Sequence, residues 1–411
     1  MKEGWKREVL KNACRVFTDG NWIQSKDQST GGIRLVQTGN IGFGYFKNKE
    51  DKSRFISEET FERLKCTEIL PGDLLVSRLP DPVGKSCIIP DLNIKMITGV
   101  DCTIIRPKDY LLSDYLGYFQ MSNEYLKDVQ SRVSGTTRSR ISRKKLGLIE
   151  IPIPSLQEQK QIVAILDKAF TAIDQAKANI STNIENAKEF YENWVQEIFE
   201  SPKKNWKKEK WGDLCHFVRG PFGGSLKKSM FKEEGYVVYE QKHAIHNHFN
   251  QLRYFIDEEK FNEMKRFEVK PGDIIMSCSG VTLGRVAIIP ENIPRGIINQ
   301  ALLKLTPNED VSVEFLKYWL RSNIFQNIIF EHAGGAAIPN VPSAKILKEI
   351  IIPFQSLSEQ LDIVKRIETM LKKTTDLETY YSKKNDDLEE LKKSILQKAF
   401  AGELTGKEVM V

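Results

Sequence analysis

The chain is written twice. PGDLL at Pro71 recurs as PGDII at Pro271, and Gly84 with Ile88-Ile89-Pro90 recurs as Gly284 with Ile288-Ile289-Pro290, both shifted by 200. Trp5-Lys6 and Cys14 recur as Trp206-Lys207 and Cys215, shifted by 201. The same shift of 201 relates Ser155-Leu156 and Glu158-Gln159 to Ser356-Leu357 and Glu359-Gln360, and Gln196 and Phe199 to Gln397 and Phe400. Landmarks in one order at a near-constant offset mark a tandem duplication, so what one half folds into the other must fold into as well. A length of 411 residues agrees, being too long for one ordinary core.

Each half has two parts of different kinds. Residues 1–150 and 206–350 are rich in Gly, Pro and short apolar runs such as IGFGYF, DLLVS, SCIIP and DCTIIRP. Such runs, punctuated by turn residues, predict β-rich mixed domains. Residues 151–205 and 351–411 read differently: between Ser155 and Ser201, and between Ser356 and Ala401, there is neither Gly nor Pro. Small and apolar residues recur there in steps of three and four. The first set is Ile162, Leu166, Ala169, Ile173, Ala176, Ile180, Ile184, Ala187, Tyr191, Trp194 and Ile198. The second is Val364, Ile367, Leu371, Thr374, Leu377, Tyr381, Leu388, Leu391 and Ile395. This period predicts two long helices with a coiled-coil-like seam. Ser155 with Glu158 and Ser356 with Glu359 fit the capping box that starts a helix. A helix of some forty-five residues reaches ~68 Å, more than a domain of this size is wide. The seam therefore needs a partner, and its own duplicate, packed antiparallel, is the nearest. The expected fold class is α+β, with two β-rich mixed domains separated by two long antiparallel helices that form a coiled-coil spacer, and an internal pseudo-twofold repeat.

Composition narrows the functional classes. The net charge is +6, and the excess of Lys+Arg over Asp+Glu runs +6, −2, +3 and −1 through 1–150, 151–205, 206–350 and 351–411. Two basic modules thus alternate with helical segments that are not basic, which points weakly to nucleic acid. No apolar stretch is long enough to span a membrane, and MKEGWKREVL lacks the pattern of a secretory signal. Six scattered cysteines without a C-x-x-C suit reduced, buried thiols in a cytoplasmic protein.

Several catalytic readings fail on spacing. GKS at Gly84 imitates the end of a phosphate loop, but the glycine required five residues earlier is Leu79, and Pro80 and Pro82 remove amide donors. The second copy carries Arg285-Val286 in place of Lys85-Ser86. GNIGFG at Gly39 lacks the dinucleotide spacing, and no Asn/Asp-Pro-Pro-aromatic motif of an adenine methyltransferase occurs. HAIHNH (243–248) lacks the Cys or carboxylate partners of a metal site and reads as a polar loop. Asp73 and Asp273, each after a Pro-Gly turn, read as turn caps rather than catalytic acids.

The nucleic-acid signal is more specific. No acidic residue occurs from Val129 to Ile149, while Arg132, Arg138, Arg140, Arg143, Lys144 and Lys145 all fall inside, with hydroxyls at Thr136 and Thr137. Guanidinium groups grip phosphates and guanine edges, and hydroxyls hold register on the backbone. Lys47, Arg78 and Lys85 complete the first set of candidate DNA contacts; Lys227, Lys228, Gln241, Lys242, His243 and Arg285 form the second.

Taken together, IPIPSLQEQKQIVAILD, IIPFQSLSEQLDIVKRI, the PGD-to-IIP blocks, GIINQALLKLTP, GGAAIPNVPSAKILKEIIIP and SILQKAFAGELTG resemble the specificity subunits of type I restriction–modification enzymes, over essentially the whole chain. The resemblance implies target-recognition domains at 1–150 and 206–350, each reading half of a bipartite double-stranded DNA site. It makes 151–205 and 351–411 the spacer helices and the C-terminal tail. It implies no catalytic residue, cofactor or metal in this chain. S-adenosylmethionine would belong to two copies of a partner adenine methyltransferase, and ATP and Mg to a restriction subunit present in up to two copies. A methylation-only or other phage-defence complex, or a coiled-coil protein scaffold, are the alternatives.

Overall fold

A computed structural model describes residues 2–135, 139–201, 206–280, 282–332 and 340–405. The chain divides into two compact units, 1–181 with 381–411, and 182–380. Each unit therefore takes a recognition domain, part of one long helix and part of the other.

In the first unit an antiparallel sheet runs in the order Cys14–Asp19, Cys102–Pro107, Leu74–Ser77, Ser86–Ile88. A second sheet orders Gln28–Ser29, Arg54–Ile56, Ile33–Val36 and Met96–Thr98, the last two parallel. The second unit repeats this plan. Its antiparallel sheet runs Cys215–Arg219, Leu302–Pro307, Ile274–Ser277, Val286–Ile288, beside a three-stranded sheet of Phe255–Ile256, Tyr236–Tyr239 and Gly296–Ile298. The register is shared: Leu74 pairs with Ile88 and Ile105, and Ile274 with Ile288 and Leu305. DLLVS, SCIIP and DCTIIRP are thus strands, as their β-branched content requires. IGFGYF is not one. It is a loop closed by an Ile41–Phe46 bridge, with the Gly42 N–H on the Tyr45 carbonyl at 2.8 Å.

The PGD turns are structural. Asp73 accepts the Leu70 N–H at 2.8 Å and pairs with Arg106 at 2.7 Å. Asp273 accepts the Lys270 N–H at 2.8 Å and the Thr306 hydroxyl at 2.5 Å. Both carboxylates are buried, and both close the turn that feeds the central strand.

The long helices span Leu156–Glu200 and Leu357–Ala401. Just before them, Glu150–Ile153 pairs with Lys6–Val9 and Ile351–Phe354 with Lys207–Lys210, so each recognition domain is closed by its own ends. The Ser155 hydroxyl accepts the Glu158 N–H at 3.2 Å, and Ser356 instead donates to Glu359 at 2.7 Å. In the second copy the Ser356 N–H also donates to the Glu359 carboxylate at 3.3 Å, the reciprocal half of the capping box, whereas in the first the Glu158 carboxylate is occupied by Lys2 at 2.6 Å and by the Trp5 indole at 3.0 Å. The neighbouring glutamines do the same work twice. Gln159 accepts the Leu112 N–H and donates to the Tyr110 and Pro154 carbonyls, and Gln360 accepts the Ser312 N–H and donates to the Asp310 and Gln355 carbonyls. Both are fully buried, so the repeated Glu-Gln pair locks the helix start to the preceding loop.

Within the first unit, Ile162, Leu166 and Phe170 share a core with Leu396, Ala399 and Phe400 from the end of the second helix. Asp174–Lys392 and Lys177–Glu389 ion pairs run in opposite chain directions, so the segments are antiparallel there. In the second unit, Ile363, Val364 and Ile367 share a core with Val195 and Phe199, and Lys188 pairs with Glu378. Ile173 and Ile180 are buried, while Ile184, Tyr191, Tyr381, Leu388 and Ile395 are half-buried. Three expected seam positions differ, Leu371, Leu377 and Leu391 being exposed, whereas Val364, Ile367 and Thr374 are buried as expected. Among the described residues, no helix is long and apolar enough to cross a membrane.

Candidate nucleic-acid interface

The hairpin carrying GKS settles what that triplet is. Gly84 turns at φ +86°, its N–H donates to the Ser77 carbonyl at 2.8 Å, and its own carbonyl accepts the Tyr125 hydroxyl at 3.0 Å. A Cβ there would meet Val129 at 2.8 Å. Gly284 repeats the turn at φ +76°, with its N–H on the Ser277 carbonyl at 2.9 Å. Strand Ser86–Ile88 follows, with no helix whose N-terminus could hold a phosphate. The turn instead presents a basic side chain, Lys85 in one copy and Arg285 in the other.

Around Lys85 the first unit gathers cations. Lys85 is partly buried; burial, then the nearby charges of Lys47 and Lys49, push its pKa down. Its amine donates to the Asp81 carbonyl at 3.0 Å, and Lys47 lies over the Tyr45 ring at 5.5 Å. A lysine whose charge is disfavoured by burial and by neighbouring cations gains when a polyanion arrives.

The acid-free segment forms the second basic group. Arg143, Lys144 and Lys145 make one helical turn capped by Ser142 and are exposed. Arg140 is exposed and rests on Asp101 at 3.3 Å, and Arg143 reaches Thr18 at 3.3 Å and Asp19 at 4.0 Å. Arg132 is held by Asp128, its neighbour on the helix, at 2.7 Å. Thr136, Thr137 and Arg138 lie outside the described residues.

Arg78 requires a correction, since it does not face solvent. Its guanidinium is buried, bonded to the Val100 and Ile141 carbonyls and paired with Asp19 at 3.2 Å. Burial pushes its pKa down, and Asp19 opposes that shift. It is a strut that fixes Asp19 and the segments at 100 and 141, on which Arg140 and Arg143 stand.

In the second unit, Lys227, Lys228 and Arg285 are exposed. Lys242 pairs with Glu240 at 3.3 Å, and Gln241 exchanges hydrogen bonds with Ser279 at 2.6 and 3.1 Å. His243 is the second correction. It is buried against Phe249 and Tyr239, its Nδ1 accepts the Glu240 N–H at 2.8 Å, and Nε2 faces the Gln251 carbonyl at 3.3 Å. Burial holds its pKa down, so the ring is a neutral wedge that closes the loop. Among the described residues, no group of three or more His, Cys, Asp or Glu side chains could hold a metal.

The pattern of both halves matches the family model of the type I restriction modification DNA specificity domain, at residues 3–186 and again at 203–390. The chain belongs to this family. It is 24% identical over 399 residues to the EcoKI specificity subunit of Escherichia coli, covering 91% of this chain and 82% of that one. It is also 24% identical to the MjaX specificity subunit of Methanocaldococcus jannaschii, covering 98% and 94%. Among solved structures, the HsdS subunit from Thermoanaerobacter tengcongensis shares the fold at a TM-score of 0.67 and 18% identity, over 98% of each chain. A chain from a type I R-M system studied for its assembly and conformational transition does so at 0.69 and 17%, over 98% and 99%.

Proposed function

We propose that this chain is the DNA specificity subunit of a type I restriction–modification complex and reads a two-part site, one part with each recognition domain. The observation that carries the reading is the duplication itself: two domains of one register present different side chains at equivalent positions. Across the repeat Asp19 corresponds to Arg219, Asp101 to Ala301 and Lys85 to Arg285. A scaffold held constant while its polar groups diverge is what two readers of different short sequences require.

The exposed cations bring the domains to the duplex in a salt-dependent way, and loops from each then enter the major groove, where all four base pairs differ. The long helices set the distance between half-sites near one duplex turn, ~34–36 Å. Exposed leucines at equivalent positions of the two helix starts, Leu156 and Leu357, offer similar surfaces to two copies of a methyltransferase. That partner supplies the S-adenosylmethionine chemistry, and a restriction subunit supplies the ATP- and Mg-dependent steps; this chain supplies neither. Co-expression with a methyltransferase subunit, followed by genome-wide mapping of methylated adenines, tests the reading. A gapped, asymmetric two-part motif is expected; methylation at a single ungapped motif, or none, refutes it.

A further inference from the structure

We propose that Trp22 and Phe222 are each an aromatic stacking contact to DNA, one per half-site, seated on a base face exposed when a target adenine leaves the helix. The inference rests on the specificity-subunit reading.

Both rings are unusually bare, Trp22 at 69% and Phe222 at 92% exposure. A single exposed aromatic needs no explanation. An exposed aromatic at the same position of both copies, two residues beyond an equivalent glycine, does. Gly20 donates its N–H to the Cys102 carbonyl at 3.0 Å, and Gly220 to the Leu302 carbonyl at 2.8 Å. A Cβ on Gly20 would meet the Gly99 carbonyl oxygen at 2.5 Å, and one on Gly220 the Asn299 carbonyl oxygen at 1.9 Å. The glycine lets the strand end press against the same loop, and the ring follows two residues later. Asp19 has become Arg219 and Asn21 has become Pro221, yet glycine and ring persist.

That contrast identifies the chemistry. Groups that read sequence should differ between two readers; a group kept by both should meet what both half-sites share. Stacking is tolerant of sequence, because every base has a π-face. A methyltransferase acting on adenine must take it out of the stack, which exposes such faces in each half-site. The surroundings suit a polyanion. Trp22 borders a groove of about 200 Å³ with Asn21, Gln37, Thr38 and Asp101, and Asp101 carries Arg140. Phe222 lies three residues beyond the exposed Arg219.

The test uses the complex reconstituted with its methyltransferase subunits and a duplex carrying its methylated motif, with 2-aminopurine at one target adenine or the other. Trp22→Ala should weaken binding roughly five- to hundredfold, the loss of one base–aromatic stack. It should also lower the 2-aminopurine signal in one half-site only, with Trp22→Phe restoring both. Phe222→Ala should do the same in the other half-site. Unchanged affinity and signal in both alanine variants would overturn the proposal while leaving the function intact, as would equal losses in both half-sites accompanied by a lowered melting temperature. A wild-type complex without preference for any two-part duplex would overturn both readings.

Discussion

At the scale of single residues, burial separates cations that serve the fold from cations that can serve a ligand. Arg78 and Arg140 belong to one basic neighbourhood, but only Arg140 reaches solvent. A pattern of basic residues in sequence carries no record of which side chain the chain will bury, which is why Arg78 and His243 could not be sorted in advance. Arg143 and Lys144, both exposed, should contact phosphates. Replacing both by Ala should flatten the slope of log affinity against log salt by about 0.9 per lost contact, measured by binding titrations at several ionic strengths. Glu158 offers a test of stability. Burial pushes its pKa up, but hydrogen bonds from Lys2, Thr405 and Trp5 outweigh this and hold it below its usual 4.5. A carboxylate depressed in the folded state stabilises above its unfolded pKa, and that contribution is lost as pH falls through the folded value. Melting curves taken through the acid range should show Glu158→Gln losing stability near neutrality and showing a shallower acid dependence than the wild type.

At the scale of elements, the repeated Ser-x-x-Glu-Gln was legible as a helix start, and its glutamine acquired a meaning only in three dimensions, where it bonds a loop about fifty residues away in sequence. The helix seam was legible in period, and most of its expected positions are buried or half-buried. Val364, Ile367 and Thr374 of the expected set are buried, as are Leu396 and Phe400 farther on, while Leu371, Leu377 and Leu391 of the same set are exposed. Positions on one helical stripe are buried only where another element covers them, so spacing alone could not tell Leu371 from Ile367 and Thr374 on either side of it. Ile367→Ala should therefore cost about 2–5 kcal/mol in chemical denaturation. Leu371→Ala should stay within about 0.5 kcal/mol and weaken methyltransferase association instead.

At the scale of the whole molecule, the repeat argues that one chain can present two readers. Lengthening both long helices by four residues, about one turn and ~5–6 Å, should change the spacer between half-sites and leave each half-site sequence unaltered. Mapping methylated adenines in cells carrying the variant checks this, and an unchanged spacer would count against the helices as a ruler. What the sequence determined alone was the duplication and what is local in pattern: the strand runs DLLVS, SCIIP and DCTIIRP, the Pro-Gly-Asp turns, the helix starts and the basic segment at 129–149. These follow from spacing and residue type within a few turns of chain. Tertiary structure decided which members of each pattern face inward. It turned Arg78 and His243 into internal supports, left Leu371, Leu377 and Leu391 of the helix seam uncovered, and left Trp22 and Phe222 bare, because burial depends on neighbours that the chain brings together only by folding.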